Sequence, residues 1–373
     1  MAKISYRERV KLDRVQLTRE MLREMPMACT DFINSLAMTT SALTRLAYVL
    51  DLRTFFDFTQ KELPKFSERP LLSWTDQDFA SITTRDLVAY SEYLTLYYKE
   101  MNTEAGKDQI ILQNHEYGVM RKLSSLRSFF RFLFKAERIP GNTASLVTLP
   151  KVHEKPILFL AGAEIEKLLD TAANGTDFGS QRQKNYQKNT RSRDYAILML
   201  FLGTGMRLSE CVGIDFQDLD LENHAVLVTR KGGNQVVLYY PEDVREALET
   251  YLEDRKEIVT ADPEDADAVF LSLQRRRISQ RAVEIMVKKY CAIAAPLKKR
   301  LSPHKLRSTY ATRLYQQTGD IYLVADALGH ADVNTTRRHY AAMSDAHRRE
   351  AAENITIPQK EKETETIIDP DKK

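Results

Sequence analysis

Cysteine is scarce in this chain. Cys29, Cys211 and Cys291 are odd in number and widely spaced. They offer no disulfide framework and no metal-ligand spacing, which fits a reducing, cytosolic compartment. His115, His153, His224, His339 and His347 add no ligand pattern, so no metal is expected. Long apolar runs are missing too. No stretch is long enough to span a bilayer, and the start of the chain lacks the hydrophobic region of a signal peptide, so no membrane partner is expected. Nor does one sign of charge dominate: 55 Lys and Arg stand against 52 Asp and Glu. The total charge therefore says little about partners.

Its distribution says more. From Arg275 to Arg313 there are twelve Lys or Arg and one acid, Glu284. A locally basic face on a nearly neutral protein is the footprint of a polyanion partner, although solvated charged surfaces are common. Arg275, Arg276 and Arg277 open that run as candidate DNA contacts. At 373 residues the chain has room for two domains, each with a real core.

Residues 1–30 are mixed polar and helical in pattern, with Pro26 as a breaker. Across 31–60, Leu43, Ala47, Leu50, Phe55 and Phe58 approximate an apolar helix face. Ile82-Thr83-Thr84-Arg85-Asp86 opens a helix running towards Lys99, and Met101 to Gln109 reads as a polar connection. Residues 115–137 form the clearest helix of this half. Leu123, Leu126, Phe130, Leu133 and Phe134 give its apolar stripe, while Arg127, Arg131 and Lys135 repeat every four residues. That basic stripe suits phosphates, and equally suits an ordinary solvated face. Residues 150–157, bracketed by prolines, read as an interdomain linker.

Beyond it, Ala163 to Ala173 reads as a helix. Gly175 to Arg193 is polar and basic and reads as an exposed loop, whose Arg182, Lys184, Lys188, Arg191 and Arg193 could touch DNA, although loops of this composition are often simply disordered. Tyr195 to Leu202 is a buried helix broken at Gly203-Thr204-Gly205. Ala225–Thr229 and Gln235–Tyr239 flank Arg230-Lys231-Gly232-Gly233-Asn234, a hairpin by turn chemistry with Lys231 at its tip. Ser302 reads as a helix N-cap and Pro303 as the first helical residue, which sets His304 and Arg307 on one face near the positive helix end. Gly329-His330 follows, and Tyr340 comes ten residues later. Residues 344–354 continue as a helix, and the charged tail from Ile357 reads as flexible.

The order Gly205-Met-Arg207-Leu-Ser-Glu210, Lys231, His304-Lys-Leu-Arg307, Leu328-Gly-His330 and Tyr340 resembles the catalytic half of the tyrosine recombinases, a family of phage and transposon integrases and the Xer group. The upstream helices resemble that family's core-binding domain, and the likeness runs over about residues 30–355. It implies a mainly α fold with a small β-sheet: a helical core-binding domain (31–149) and a mixed α+β catalytic domain (158–356), with residues 1–30 as an N-terminal extension and 357–373 as a tail.

Residue by residue, the resemblance makes Arg207 and Arg307 the phosphate-binding arginines and Lys231 the hairpin lysine. His304 and His330 take the two histidine-type positions, and Tyr340 is the nucleophile. Glu210 orients Arg207 or a neighbouring histidine, or is a plain helix-surface acid. Two departures are visible. Ser308 stands where many members carry a second histidine, and the interval from His330 to Tyr340 is one residue longer than in Xer-like members.

The resemblance implies a site-specific recombinase that cuts and rejoins duplex DNA through a 3′-phosphotyrosine, without metal or other cofactor. It also implies double-stranded DNA bearing specific sites as partner and a tetramer on that DNA, with room for an accessory DNA-bending or excision factor. Integration and excision of a mobile element is the favoured role and Xer-type dimer resolution the alternative. A type IB topoisomerase and a non-catalytic DNA-binding protein are the rival classes.

Overall fold

The computed structural model describes residues 4–103, 106–151, 157–175, 178, 180–230, 232–299, 301–329 and 332–333, with backbone alone at 99–103 and 106–108. The chain divides into two compact units, Met1–Lys155 and Pro156–Lys373. The expected helix over 344–354 and the tail from 357 lie outside the described residues.

The first unit is helical: α1 (Tyr6–Leu22), α2 (Met27–Ser35), α3 (Ala42–Glu62), α4 (Asp76–Ala80), α5 (Thr84–Tyr93) and α6 (Glu116–Lys135). Local sequence sets the starts. Ser41 Oγ accepts from Thr44 N–H to open α3. At α5, Thr83 and Asp86 satisfy each other's backbone N–H groups in a capping box. The core is aromatic. Phe32, Phe55, Phe56, Phe79, Phe129 and Phe130 are all buried, and Phe56 meets Trp74 edge-on at 5.3 Å. Each such ring contributes on the order of 2 kcal/mol by leaving water. Leu22, Met25, Ala28 and Cys29 belong to this same core, so a boundary at residue 30 falls inside α2.

Four expectations are corrected here. On α3, Leu43 and Leu50 are exposed, and the buried face is Leu46, Val49, Leu52, Phe55, Phe56 and Phe58. On α6, Phe134 is exposed and Phe129 takes its place in the core. The helix from Ile82 stops at Tyr93 instead of reaching Lys99, and residues 101–109 are not a plain connection. Strands β1 (Leu96–Thr103) and β2 (Gly106–Gln113) pair antiparallel, with Tyr97 opposite Leu112 and Tyr98 opposite Ile111. β-branched and aromatic residues favour that pairing over helix, and Tyr97 stacks on Tyr93 at 5.1 Å.

The second unit contains α7 (Gly162–Asn174), α8 (Gln181–Thr204), α9 (Leu208–Cys211), β3 (Leu219–Asp220), β4 (Ala225–Thr229), β5 (Gln235–Tyr239), α10 (Glu242–Lys256), α11 (Gln280–Ala294), α12 (Pro303–Thr318) and α13 (Ile321–Leu328). The three strands form one antiparallel sheet in the order β3-β4-β5. The β4–β5 hairpin follows the expected turn chemistry, with Gly232 and Gly233 both at positive φ.

Helix α8 packs against α7, α10 and α12. It corrects the expected loop over 175–193, whose residues from Gln181 onward form its first half. Its buried polar groups are satisfied by specific partners, so it carries little apolar signal. Gln187 donates to Ala172 O at 2.7 Å. Asp194 accepts from Thr190 at 2.9 Å, from Arg193 at 2.6 Å and from the Tyr290 hydroxyl at 3.0 Å. Arg193 also donates to Leu271 O, so it is a buried structural group and not a DNA contact. Helix α13 seats on α12 through Ala311, Tyr315, Val324 and Leu328.

Candidate active site

Arg207 stands at the N-cap of α9, two residues after the bend that ends α8. That bend requires Gly205. Its φ is +62°, and a Cβ there would overlap the Tyr310 ring. The buried Glu210 holds Arg207 from both sides. One carboxylate oxygen accepts the Arg207 backbone N–H at 2.7 Å, and the other accepts its Nη1 at 2.9 Å. Glu210 is thus a buried partner of Arg207 and not a helix-surface acid.

Arg307 reaches the same place from α12. Its Nη1 donates to Gly205 O and its Nη2 to Leu328 O. Arg207 Nη2 approaches the same Leu328 carbonyl at 3.4 Å and Gly329 O at 3.5 Å. Two guanidinium groups a hundred residues apart in sequence therefore meet at the C-terminal end of α13. Helix C-terminal carbonyls carry partial negative charge, so they suit cationic donors. Burial, and then the charge of Arg207, push Arg307 down to about 10, with Glu210 acting the other way. It stays charged at neutral pH.

A third arginine was not singled out from the sequence. Arg230 ends the β4 side of the hairpin and donates Nη2 to Ala327 O at 2.8 Å and Nη1 to Asp326 O at 3.3 Å. A Cβ on Gly329 would overlap its guanidinium. Its flanking turn residues drew attention to Lys231, and only the distant α13 gives Arg230 its meaning.

His304 is exposed on the first turn of α12, where Pro303 occupies the first helical position. Ser302 is the N-cap residue, though its side chain makes no capping hydrogen bond. Ser308 points its hydroxyl back to His304 O at 3.1 Å. Lys231, His330 and Tyr340 lie outside the described residues, while their neighbours Arg230, Gly232 and Gly329 are described.

The candidate DNA contacts divide. Arg131 and Lys135 are exposed. Arg127 instead turns its guanidinium onto the carbonyls of Ala144, Ser145 and Val147, tying down the segment after α6. Arg275 and Arg276 are exposed. Arg277 is not a surface contact. Its side chain is 5% exposed, pairs with Asp215 and donates to Val212 O and Ile214 O. A basic residue can complete a core in this way when carbonyls and a carboxylate meet the donors of its terminal nitrogens, as they do here. The three cysteines are buried, and burial pushes their thiols up, Cys291 to about 12. No helix among the described residues is long and apolar enough to cross a membrane.

The sequence profile of the phage integrase family matches residues 159–347. The tyrosine recombinase XerC of Caldanaerobacter subterraneus subsp. tengcongensis is 32% identical over 345 residues, covering 90% of this chain and 88% of that protein. XerS of Streptococcus uberis is 32% identical over 338 residues, covering 84% and 90%. Among solved structures, the Tn1549 transposon integrase in complex with circular intermediate DNA shares the fold. Its TM-score is 0.60 at 20% identity, over 87% of this chain and 98% of that one. The XerH site-specific recombinase in a post-cleavage complex with its difH substrate gives 0.57 at 20% identity, over 84% and 80%. The chain belongs to the phage integrase family of tyrosine recombinases.

Proposed function

We propose that the chain is a site-specific DNA strand transferase that cuts and rejoins duplex DNA, with Tyr340 as nucleophile and a 3′-phosphotyrosine as intermediate. The observation that carries this reading is the meeting of Arg207 and Arg307 at the Leu328 carbonyl. Donors that converge on one oxygen acceptor put both positive charges at one place, where the non-bridging oxygens of a phosphate would be neutralised. A phosphodiester resists attack because its anionic oxygens repel nucleophiles. Two fixed guanidinium groups offset that charge and, in the active range, do not lose their protons. Glu210 acts through Arg207, as a positioning residue.

A phenol is a weak nucleophile at its ordinary pKa of about 10. In this reading His304 accepts its proton as the Tyr340 oxygen bonds to phosphorus. The bond from phosphorus to the 5′ oxygen breaks, and Lys231 gives that oxygen a proton. His330 donates a hydrogen bond to the phosphate. The phosphotyrosine keeps the energy of the broken bond, so attack by the 5′ hydroxyl of a second DNA reverses the step without nucleotide or metal.

The partner is double-stranded DNA bearing a specific recombination site. The first unit acts as the core-binding domain, with Arg131 and Lys135 towards phosphates, and the second as the catalytic domain. A tetramer holds two duplexes, with an accessory DNA-bending or excision factor as a further partner. Integration and excision of a mobile element is the favoured role, in keeping with the fold shared with the Tn1549 integrase. Dimer resolution is the second reading, favoured by the near end-to-end match with XerC and XerS.

The test is covalent trapping on nicked suicide duplexes that include DNA flanking the protein's own gene. An SDS-resistant adduct formed in the presence of a chelator is the expected result. Relaxation of a supercoiled plasmid lacking any site would favour the topoisomerase class. Trapping on chromosomal dimer-resolution sites but not on the flanking DNA would favour the second role.

A further inference from the structure

Arg230 has no part in the scheme above, yet it joins two of its elements. It is the residue before Lys231 in sequence, and it packs on Gly329, the residue before His330. Its guanidinium spans two successive α13 carbonyls, Ala327 O at 2.8 Å and Asp326 O at 3.3 Å. The backbone on its own side is fixed as well, since Arg230 N–H donates to Asn234 O at 2.7 Å and Gly233 N–H returns to Arg230 O at 3.1 Å. On the far side Gly329 is left-handed, with φ +58°, and leaves space that any larger residue would take from the guanidinium. The remaining Arg230 Nε is buried with no hydrogen-bond partner among the described residues. A buried donor left unpaired costs free energy, which the hydrogen bonds of the two terminal nitrogens and the close fit on Gly329 must offset.

We propose that Arg230 is a positioning residue for the leaving-group proton transfer: by fastening the β4–β5 hairpin to the C-terminal turn of α13, it fixes the hairpin lysine relative to the arginine pair. The geometry gives the reason. Arg207 and Arg307 are both referred to Leu328 O, and Arg230 is referred to the two carbonyls just before it. One helix end is thus the common reference for the phosphate clamp and for the segment that carries the lysine. Strand β5 is an edge strand of the three-stranded sheet, so the Arg230 side chain adds a tie from the β4–β5 turn to a helix outside that sheet. Proton delivery within hydrogen-bond reach is sensitive to displacements of about an ångström.

The inference rests on the recombinase reading and is tested with the full chain on a nicked duplex carrying its site. The duplex is made in two forms, with oxygen or with sulfur at the bridging 5′ position. A thiolate leaves without a proton, so the sulfur form bypasses the lysine's step. Arg230→Ala removes both hydrogen bonds, and Arg230→Lys keeps the charge but reaches only one carbonyl at a time. The expected result for Arg230→Ala, measured at saturating DNA, is adduct formation slowed by about tenfold or more on the oxygen substrate. Arg230→Lys falls between, and on the sulfur substrate both deficits shrink to about threefold or less. An equal deficit on both substrates, or parental cleavage of the oxygen form, overturns the proposal.

Hydrogen exchange supplies an arm independent of activity. In Arg230→Ala the amides of the hairpin turn and those at the end of α13 exchange faster together, by about tenfold. Parental exchange in either segment overturns the tie. A parent that forms no adduct with any DNA yet shows coupled exchange would sink the recombinase reading while keeping the tie.

Discussion

Replacing Glu210 with glutamine changes one atom's chemistry at the point where the clamp is set. Both carboxylate oxygens are in use, one on the Arg207 backbone N–H and one on its Nη1. An amide offers one acceptor oxygen and one NH₂. Whichever way it turns, one Arg207 donor faces another donor. The loss is one charge-assisted hydrogen bond, worth roughly 1.5–3 kcal/mol. The Arg207 side chain is 34% exposed, so water relieves part of that loss. Single-turnover cleavage at saturating DNA should therefore slow by about 10- to 100-fold. Affinity should move the other way. Glu210→Gln removes a negative charge beside the phosphate site, so the variant should bind DNA as tightly as the parent or more tightly. The assay pairs a quench time course of adduct formation with a binding titration at one salt concentration. Parental cleavage, or cleavage and affinity falling together, would rule out a positioning role for Glu210.

Other outcomes follow from the same geometry. Gly205→Ala should lower the urea midpoint, because a left-handed alanine costs about 1–2 kcal/mol and its Cβ overlaps Tyr310. An unchanged midpoint would contradict the need for glycine there. Arg277→Ala should destabilise by about 3–5 kcal/mol by stranding Asp215, while the salt dependence of DNA binding stays parental. Arg276→Ala, at an exposed position, should stay within about 0.5 kcal/mol of parental stability. Asp194→Asn should shift the thermal midpoint down through loss of the Arg193 and Tyr290 hydrogen bonds, and a parental midpoint would count against that network. Replacing Arg131 and Lys135 together with alanine should reduce the slope of log affinity against log salt by about one for each phosphate that is no longer neutralised.

What was legible in the sequence was local or ordered along the chain. The hairpin around Lys231, the helix opening at residues 82–86 and the Pro303 helix start each depend on a few adjacent residues. The succession Arg207, Arg307 and the Leu328-Gly-His330 stretch carried the family likeness without any knowledge of packing. What escaped depended on distant partners. The polar first half of α8 looks like loop until Ala172, Leu271 and Tyr290 are seen to satisfy it. Arg127 and Arg277 look like surface charges because the carbonyls that hold them lie up to 65 residues away. The β1–β2 pair is hidden because its polar middle masks the β-forming residues at its ends. Arg230 is hidden because it gains its meaning only from α13, almost a hundred residues later.

The chemical identity of the protein–DNA linkage decides whether Tyr340 is the nucleophile. The full chain and its Tyr340→Phe variant would be incubated with a nicked duplex carrying the site, digested with protease and nuclease, and analysed by mass spectrometry. The expected products are a nucleotide 3′-phosphate on the peptide bearing Tyr340, a free 5′-hydroxyl on the other strand fragment, and no adduct in Tyr340→Phe. An adduct that persists in Tyr340→Phe, or a phosphate joined through any other side chain, would contradict that role for Tyr340.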